Sequence, residues 1–163
     1  MSQPSSSERN PVTVERPSDR EVVVTRVFNA PVRLVFEAWT TPELFRKWWV
    51  PKSTGMTLHT IDMDVRTGGS YHLNFGEGMD FFGRYVEVTP YTRIVWTNEE
   101  GGVGGTVTTV TFEENGDSTL LVMSELFPSK EAFEAGAGAE DAAPETFGQL
   151  DDLLAELLAG LHA

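Results

Sequence analysis

The stretch that decides the fold is residues 28–51, which read FNAPVRLVFEAWTTPELFRKWWVP. Ala30-Pro31 marks the start of a helix, because the missing N–H of proline costs least in the first turn. The apolar side chains that follow recur at the spacing of one helical face, at Val32, Val35, Phe36 and Trp39. Thr41-Pro42-Glu43 repeats the start signal, with the Thr41 hydroxyl as the expected N-cap. The stretch therefore predicts two short helices in series.

The sequence on either side of this stretch predicts β-strands. Residues 21–28 (EVVVTRVF) are rich in β-branched side chains and favour a strand before the helices. After the helices the apolar pattern changes to a period of two, and turn residues divide it into six strands. We expect these strands at residues 57–65, 70–75, 81–88, 91–97, 106–112 and 118–127.

The C-terminal part predicts one long amphipathic helix that begins at Pro144. Its apolar face carries Phe147, Leu150, Leu154, Leu158 and Leu161. The predicted fold class is therefore α+β: a curved antiparallel β-sheet wrapped around this helix, with two short helices between the first two strands. Residues 1–19 are rich in serine, proline and charge and predict a mobile tail, so that residues 20–163 form the single domain.

Composition restricts the classes of partner. The chain has 163 residues and a net charge of −13, which would repel nucleic acids and anionic membranes. It has no cysteine, which excludes disulfides and thiolate chemistry. The sequence has neither a membrane-spanning run nor an N-terminal secretory signal, so a cytoplasmic location is expected. A small apolar ligand remains compatible with this charge, and the exposed sheet edge is compatible with a homodimer.

The residues now described resemble a known family. The order of elements looks like the START-like superfamily, also called SRPBCC or the helix-grip fold. Within it, the chain resembles the homologues of the activator of the 90-kDa heat-shock protein ATPase. The matching stretches are residues 28–51, MDVRTGGSYHLNF (63–75), FGRYVEVTPYTRIVWTNE (82–99) and LDDLLAELL (150–158).

The resemblance implies a cavity between the long helix and the concave face of the sheet, and it implies no particular reaction. The family usually has a tryptophan early in the last helix, where this chain has Thr146 and Phe147. The predicted lining of the cavity comes from strand alternation and from aromatic side chains that both pack and hydrogen-bond. It consists of Trp49, His59, Met63, Tyr71, Phe75, Tyr85, Trp96, Met123 and Phe147. Trp39 and Trp48 are expected to pack in the hydrophobic core and not to line the cavity.

Residues that could carry chemistry are few. His59 shares a predicted strand face with Met63, so we expect it to point toward the core or cavity, whereas His72 should face solvent. Glu87 and Glu125 lie within apolar strands and are expected on the convex, solvated face. No nucleophile, metal-ligand or phosphate-loop motif is present, so neither a metal nor a cofactor is expected.

Three hypotheses for function follow. The first is a binding module that takes up a small, largely apolar or lipid-like molecule between sheet and helix. The second is an enzyme of the cyclase or hydrolase kind, with His59 or a buried glutamate as general base in the same cavity. The third is an interaction domain that regulates a chaperone ATPase, by analogy with the family name, and the residues support it least.

Overall fold

The computed structural model describes residues 10–76, 80–99, 105–135 and 143–161, and these form a curved antiparallel sheet with a long helix across it. The strands are β1 (Thr13–Ser18), β2 (Glu21–Phe28), β3 (Thr60–Met63), β4 (Ser70–Asn74), β5 (Asp80–Thr89), β6 (Arg93–Asn98), β7 (Thr106–Asn115) and β8 (Ser118–Leu126). The helices are α1 (Val32–Thr40), α2 (Pro42–Trp48), α3 (Lys130–Ala135) and α4 (Ala143–Leu161), with a short 3-10 helix at Lys52–Thr54. The order across the sheet is β1-β2-β8-β7-β6-β5-β4-β3. The predicted α+β helix-grip fold is confirmed.

Three sequence-based expectations fall wholly or partly on residues that the structure does not describe. The sequence predicts a flexible hairpin loop at the glycine run 101–105, of which only Gly105 is described, a break in the glycine- and alanine-rich segment before α4, and a frayed end at His162. Within the described segments, no helix is long and apolar enough to cross a membrane.

The two short helices form as predicted, with one difference at their junction. Trp39 and Trp48 are both buried, and the Trp48 indole Nε1 donates to the Ala38 carbonyl oxygen at 3.0 Å. Thr41 occupies the N-cap position of α2, but its hydroxyl makes no cap hydrogen bond. Its backbone N–H instead donates to the carbonyl oxygen of Glu37 at 2.9 Å, which closes α1. The predicted hydroxyl cap is therefore wrong, although the helix starts where expected.

The first strand of the sheet was not predicted. The sequence assigns residues 1–19 to a mobile tail, but Thr13–Ser18 pairs antiparallel with β2 at the edge of the sheet. Pro17 lies inside this strand, where the register is irregular, and proline is tolerated at sheet edges. Val14 packs against the core, which gives the strand its apolar anchor. The predicted boundary at residue 19 is thus wrong, and for residues 1–9, which lie outside the described residues, the tail stays a prediction.

His59 also differs from expectation, because it is exposed. The strand β3 begins only at Thr60, and the inward side chains on either side of His59 are Leu58 and Ile61. These two are three positions apart, so the alternation of faces is reset between them and His59 turns outward. Its backbone N–H donates to the carbonyl oxygen of Asn74 at 2.8 Å. The assignment of His59 to the core or cavity is therefore wrong.

The helix α4 packs its predicted apolar face on the sheet. Phe147, Leu150 and Leu154 are buried, and the rings of Phe147 and Phe28 meet edge to face with centroids 5.3 Å apart. α4 also contacts α1 and α2. Aromatic pairs of this geometry add to the burial of apolar area, so this contact helps to fix α4 against β2.

A buried ion pair joins the same two elements. Arg26 on β2 is 4% exposed, and its Nη2 lies 2.6 Å from Oδ2 of Asp151 on α4. The guanidinium also donates to the carbonyl oxygens of Phe147 and Asn10, each at 3.0 Å, and lies over the ring of Phe28. Each of the three guanidinium nitrogens thus lies within 3.0 Å of an oxygen atom, and a buried charge requires such polar partners.

Candidate functional site

The concave face of the sheet carries a cavity with two adjoining lobes. The first has a volume of about 410 Å³ and lies over β4, β5 and β6. The second has a volume of about 430 Å³ and lies between α4 and the strands β7 and β8. The lobes share part of their lining, so they form one continuous concavity: the shared residues are Trp49, Pro51, Phe81, Trp96, Asn98 and Glu125.

Seven of the nine predicted lining residues surround this cavity. Five of them line the first lobe, namely Trp49, Tyr71, Phe75, Tyr85 and Trp96, and the second lobe adds Met123 and Phe147. Met63 is half-buried and packs against the core without lining either lobe. His59 lies on the outer surface. The structure thus brings the aromatic set together, while its contact with a ligand stays a prediction.

Glu125 is the main lining residue that the sequence analysis misplaced. It was expected on the convex face, but it is half-buried and lines both lobes. The sequence did indicate its position. Glu125 lies two residues after Met123 on the same strand, so the two side chains share a face, and Met123 was assigned to the cavity. Glu87 does lie at the surface, where its Oε1 is 3.7 Å from Nε of Arg93.

The other lining residues that were missed are polar or lie at the rim. Thr108 on β7 and Thr146 on α4 face the second lobe, and Asn98 faces both. Thr146 and Phe147 are the positions at which the chain departs from the family pattern, so that departure lies within the cavity. Phe81 and Met56 are 39% and 38% exposed and mark the opening to solvent.

The first lobe contains two tyrosines in different states of hydrogen bonding. The Tyr71 hydroxyl lies 2.8 Å from the Thr97 carbonyl oxygen and 2.5 Å from Oδ1 of Asn98. Burial raises the pKa of the Tyr85 phenol well above its usual range, and the negative charge of Asp64 raises it further. Tyr85 therefore stays protonated and neutral at any physiological pH.

The lining is poor in charge. Among the described lining residues, Glu125 has the one carboxylate, and none is lysine, arginine or histidine. No cluster of three or more metal-ligating side chains occurs in the described segments. The cavity is thus an aromatic and aliphatic chamber with one acidic side chain and a few hydroxyl and amide groups.

With this geometry established, the relatives of the chain can be considered. The family model described as Activator of Hsp90 ATPase homolog 1-like protein matches residues 29–159. The chain belongs to this family. The match includes every strand from β3 to β8, α1, α2 and nearly all of α4. No curated protein matches the sequence of the chain.

Solved structures with the same fold come from several bacteria. A protein of Rhodobacter sphaeroides has 22% sequence identity and a TM-score of 0.76, over 90% of this chain and 99% of that one. A protein of Nitrosomonas europaea has 23% identity and a TM-score of 0.76, over 88% and 99%. Protein Ms6760 of Mycobacterium smegmatis has 23% identity and a TM-score of 0.73, over 90% and 99%. At these identities the likeness shows the helix-grip fold.

In this member of the family, α4 holds one wall of the cavity through Gln149. Its Nε2 donates to the carbonyl oxygens of Trp48 and Val50, each at 2.9 Å, and its Oε1 accepts from the Lys52 N–H at 2.8 Å. These three bonds fix the segment that carries Trp49 and Pro51 into the cavity. Nearby, hydrogen bonds from the hydroxyl and N–H of Ser53 lower the pKa of Glu145.

We expect Gln149→Leu to lower the free energy of unfolding by about 2–3 kcal/mol, because three hydrogen bonds of about 1 kcal/mol each are lost. Chemical denaturation followed by tryptophan fluorescence measures this change. Glu156→Leu, an exposed position on the same helix, is the matched control and should change stability by less than about 0.5 kcal/mol. Equal effects of the two substitutions would contradict the role assigned to Gln149.

Proposed function

We propose that the protein is a binding module for a small, largely apolar molecule that occupies this cavity. The observation that carries the proposal is a concavity of about 410 Å³ in its first lobe, walled mainly by aromatic side chains. Pockets of roughly 300–1,000 Å³ with apolar walls and a few polar groups are typical of small-molecule sites.

The aromatic wall is supported from behind. The rings of Trp49 and Trp96 have centroids 6.4 Å apart, and both pack against the buried Trp39, at 5.7 and 5.9 Å. Trp49 also stacks on Phe45 with centroids 4.8 Å apart. Side chains held in this way lose little further freedom when a ligand binds, which favours affinity.

The rival hypotheses receive less support. The enzyme hypothesis loses His59 as a general base, because His59 lies outside the cavity. The described lining then offers one carboxylate, that of Glu125, and contains neither a histidine nor a second acid. Regulation of a chaperone ATPase stays a prediction from the family resemblance and does not account for an aromatic cavity.

The binding hypothesis can be tested with a neutral fluorescent probe, N-phenylnaphthylamine. We expect the purified protein to bind the probe with enhanced emission. Ala143→Phe, which adds a ring at a buried lining position of the second lobe, should weaken binding at least about tenfold, or about 1.4 kcal/mol. Ala155→Phe adds the same ring at an exposed position of α4 and should leave affinity unchanged.

Circular dichroism and thermal unfolding confirm that both variants are folded before binding is compared. Native mass spectrometry of freshly purified protein provides an independent readout, since a bound molecule adds mass that denaturation removes. Absence of probe binding by the unsubstituted protein, or equal weakening by both phenylalanine substitutions, would count against a binding cavity.

A further inference from the structure

The two lobes of the cavity extend over different strands of the concave face. Among the described residues, Tyr71 on β4 and Tyr85 on β5 line the first lobe alone, whereas Thr108 on β7 and Met123 on β8 line the second alone. Neighbouring strands lie about 4.8 Å apart, so the floor extends about 19 Å from β4 to β8. A ligand that lies across this floor and is longer than about 10 Å therefore enters both lobes.

The floor of the second lobe has a small side chain at its centre. The strand register places Trp96, Thr108 and Glu125 opposite one another on β6, β7 and β8, so their side chains form one row on the same face. All three line the second lobe, and Thr108 is the smallest of them. The row is therefore shallowest in side chain at Thr108, which leaves space above it.

The opposite wall of the second lobe is the first turn of α4, where the inward side chains are also small. Ala143 and Thr146 are both buried and both line the lobe. Farther along the helix the buried side chains are larger and belong to the hydrophobic core: they are Leu150, Leu153 and Leu154. Small side chains on both the helix and the sheet thus leave the volume of about 430 Å³ open at this end of α4.

Contacts between α4 and β2 hold the helix at this distance from the sheet. The ring of Phe147 meets that of Phe28 with centroids 5.3 Å apart, and Asp151 pairs with Arg26 at 2.6 Å. These contacts oppose an inward movement of α4 that would close the lobe. Protein interiors are close-packed and keep few voids larger than a water molecule, so a space of this size that is held open indicates an occupant.

We propose that the ligand is an elongated, largely apolar molecule that occupies both lobes, and that Ala143 and Thr146 set the length of chain that the cavity accepts. This inference rests on the proposed binding function and names the shape and class of the ligand. Each CH₂ group that a longer ligand buries against apolar walls should raise affinity about fourfold, and the gain ends where the cavity ends. A larger side chain at Thr146 moves that end toward the first lobe.

The test uses the straight-chain alcohols from hexanol to dodecanol, which share one head group and differ only in length. Each alcohol is titrated, below its solubility limit, against protein that is half-saturated with N-phenylnaphthylamine. For the unsubstituted protein we expect affinity to rise about fourfold with each added CH₂ group and to keep rising beyond octanol. Extended octanol already spans about one lobe, so the continued rise reports occupation of the second.

Substitutions that fill the second lobe should shorten this series. We expect Thr146→Phe to weaken the binding of dodecanol at least about tenfold and to leave that of hexanol, which one lobe accommodates, within about twofold. Ala143→Phe adds its ring to the same lobe and should act in the same way, so the test does not depend on the folding of one variant. Ala155→Phe, at an exposed position of α4, is the control and should leave the whole series unchanged.

The outcomes distinguish the two proposals. The elongated-ligand proposal is overturned, while the binding function stands, if affinity for the unsubstituted protein stops rising at octanol. It is also overturned if the folded Thr146→Phe and Ala143→Phe proteins bind dodecanol normally, or if they weaken hexanol and dodecanol by the same factor. If neither the probe nor any of the alcohols binds the unsubstituted protein, both proposals are overturned.

Discussion

Replacing Asp151 by alanine is expected to lower the free energy of unfolding by about 3–5 kcal/mol, the range measured when one partner of a buried ion pair is removed. The Arg26 side chain is 3% exposed and that of Asp151 20% exposed, so the substitution leaves a guanidinium buried without its carboxylate. The two remaining carbonyl acceptors carry only partial charges and cannot replace a full negative charge. A loss of this size is a large fraction of the stability of an ordinary domain.

Urea denaturation of the unsubstituted and substituted proteins measures this loss. Glu156→Ala, at an exposed position of the same helix, is the control and should cost less than about 0.5 kcal/mol. The double substitution Arg26→Met with Asp151→Leu should be less destabilising than Asp151→Ala alone, because it removes both buried charges. A double variant that is less stable than the single one would show that the hydrogen bonds of Arg26 to Phe147 and Asn10 matter more than its charge.

The parts of the fold that the sequence predicts are those with a sustained apolar period. The helices α1, α2 and α4 each bury one face, and the strands from β4 to β8 lie between clear turn residues, so their local patterns agree with their tertiary environment. β1 breaks this agreement, because its pairing with β2 outweighs the unfavourable local signal of Pro17. An edge strand with one apolar anchor has too little periodicity to be distinguished from a tail.

The candidate site was predictable where aromatic side chains alternate along a strand and less so for polar ones. Tyr71, Tyr85 and Trp96 were predicted to face inward because apolar side chains occupy alternate positions of their strands. Glu125 was missed because a charged side chain is usually assigned to the solvated face, although it lies two residues after Met123 on the same strand and therefore shares the inward face. His59 was wrongly assigned to the inward face. The alternation of inward and outward side chains is interrupted at this point of the chain, and the amino-acid composition does not reveal such an interruption.

Gly83→Ala is expected to destabilise the protein by about 3 kcal/mol and to disrupt the first lobe. Gly83 lies opposite Tyr71 in the β4–β5 ladder, and an added Cβ would be 1.8 Å from the carbonyl oxygen of Thr97 on β6 and 3.0 Å from the Tyr71 hydroxyl. The obstacle at 1.8 Å is backbone, so the strands themselves must separate. Overpacking of this kind costs about 1–3 kcal/mol, and the Tyr71–Thr97 hydrogen bond is lost in addition.

The matched control is Gly160→Ala on α4, where an added Cβ meets nothing within 4 Å and a helical alanine is favoured by up to about 1 kcal/mol. Thermal unfolding should therefore move in opposite directions for the two substitutions. Probe binding adds a second readout: because Tyr71 and Tyr85 form the wall beside Gly83, the folded Gly83→Ala protein should bind N-phenylnaphthylamine more weakly, whereas Gly160→Ala should bind it normally. Unchanged stability of Gly83→Ala would mean that β5 and β6 can separate without cost, and the close strand packing described for this wall would be wrong.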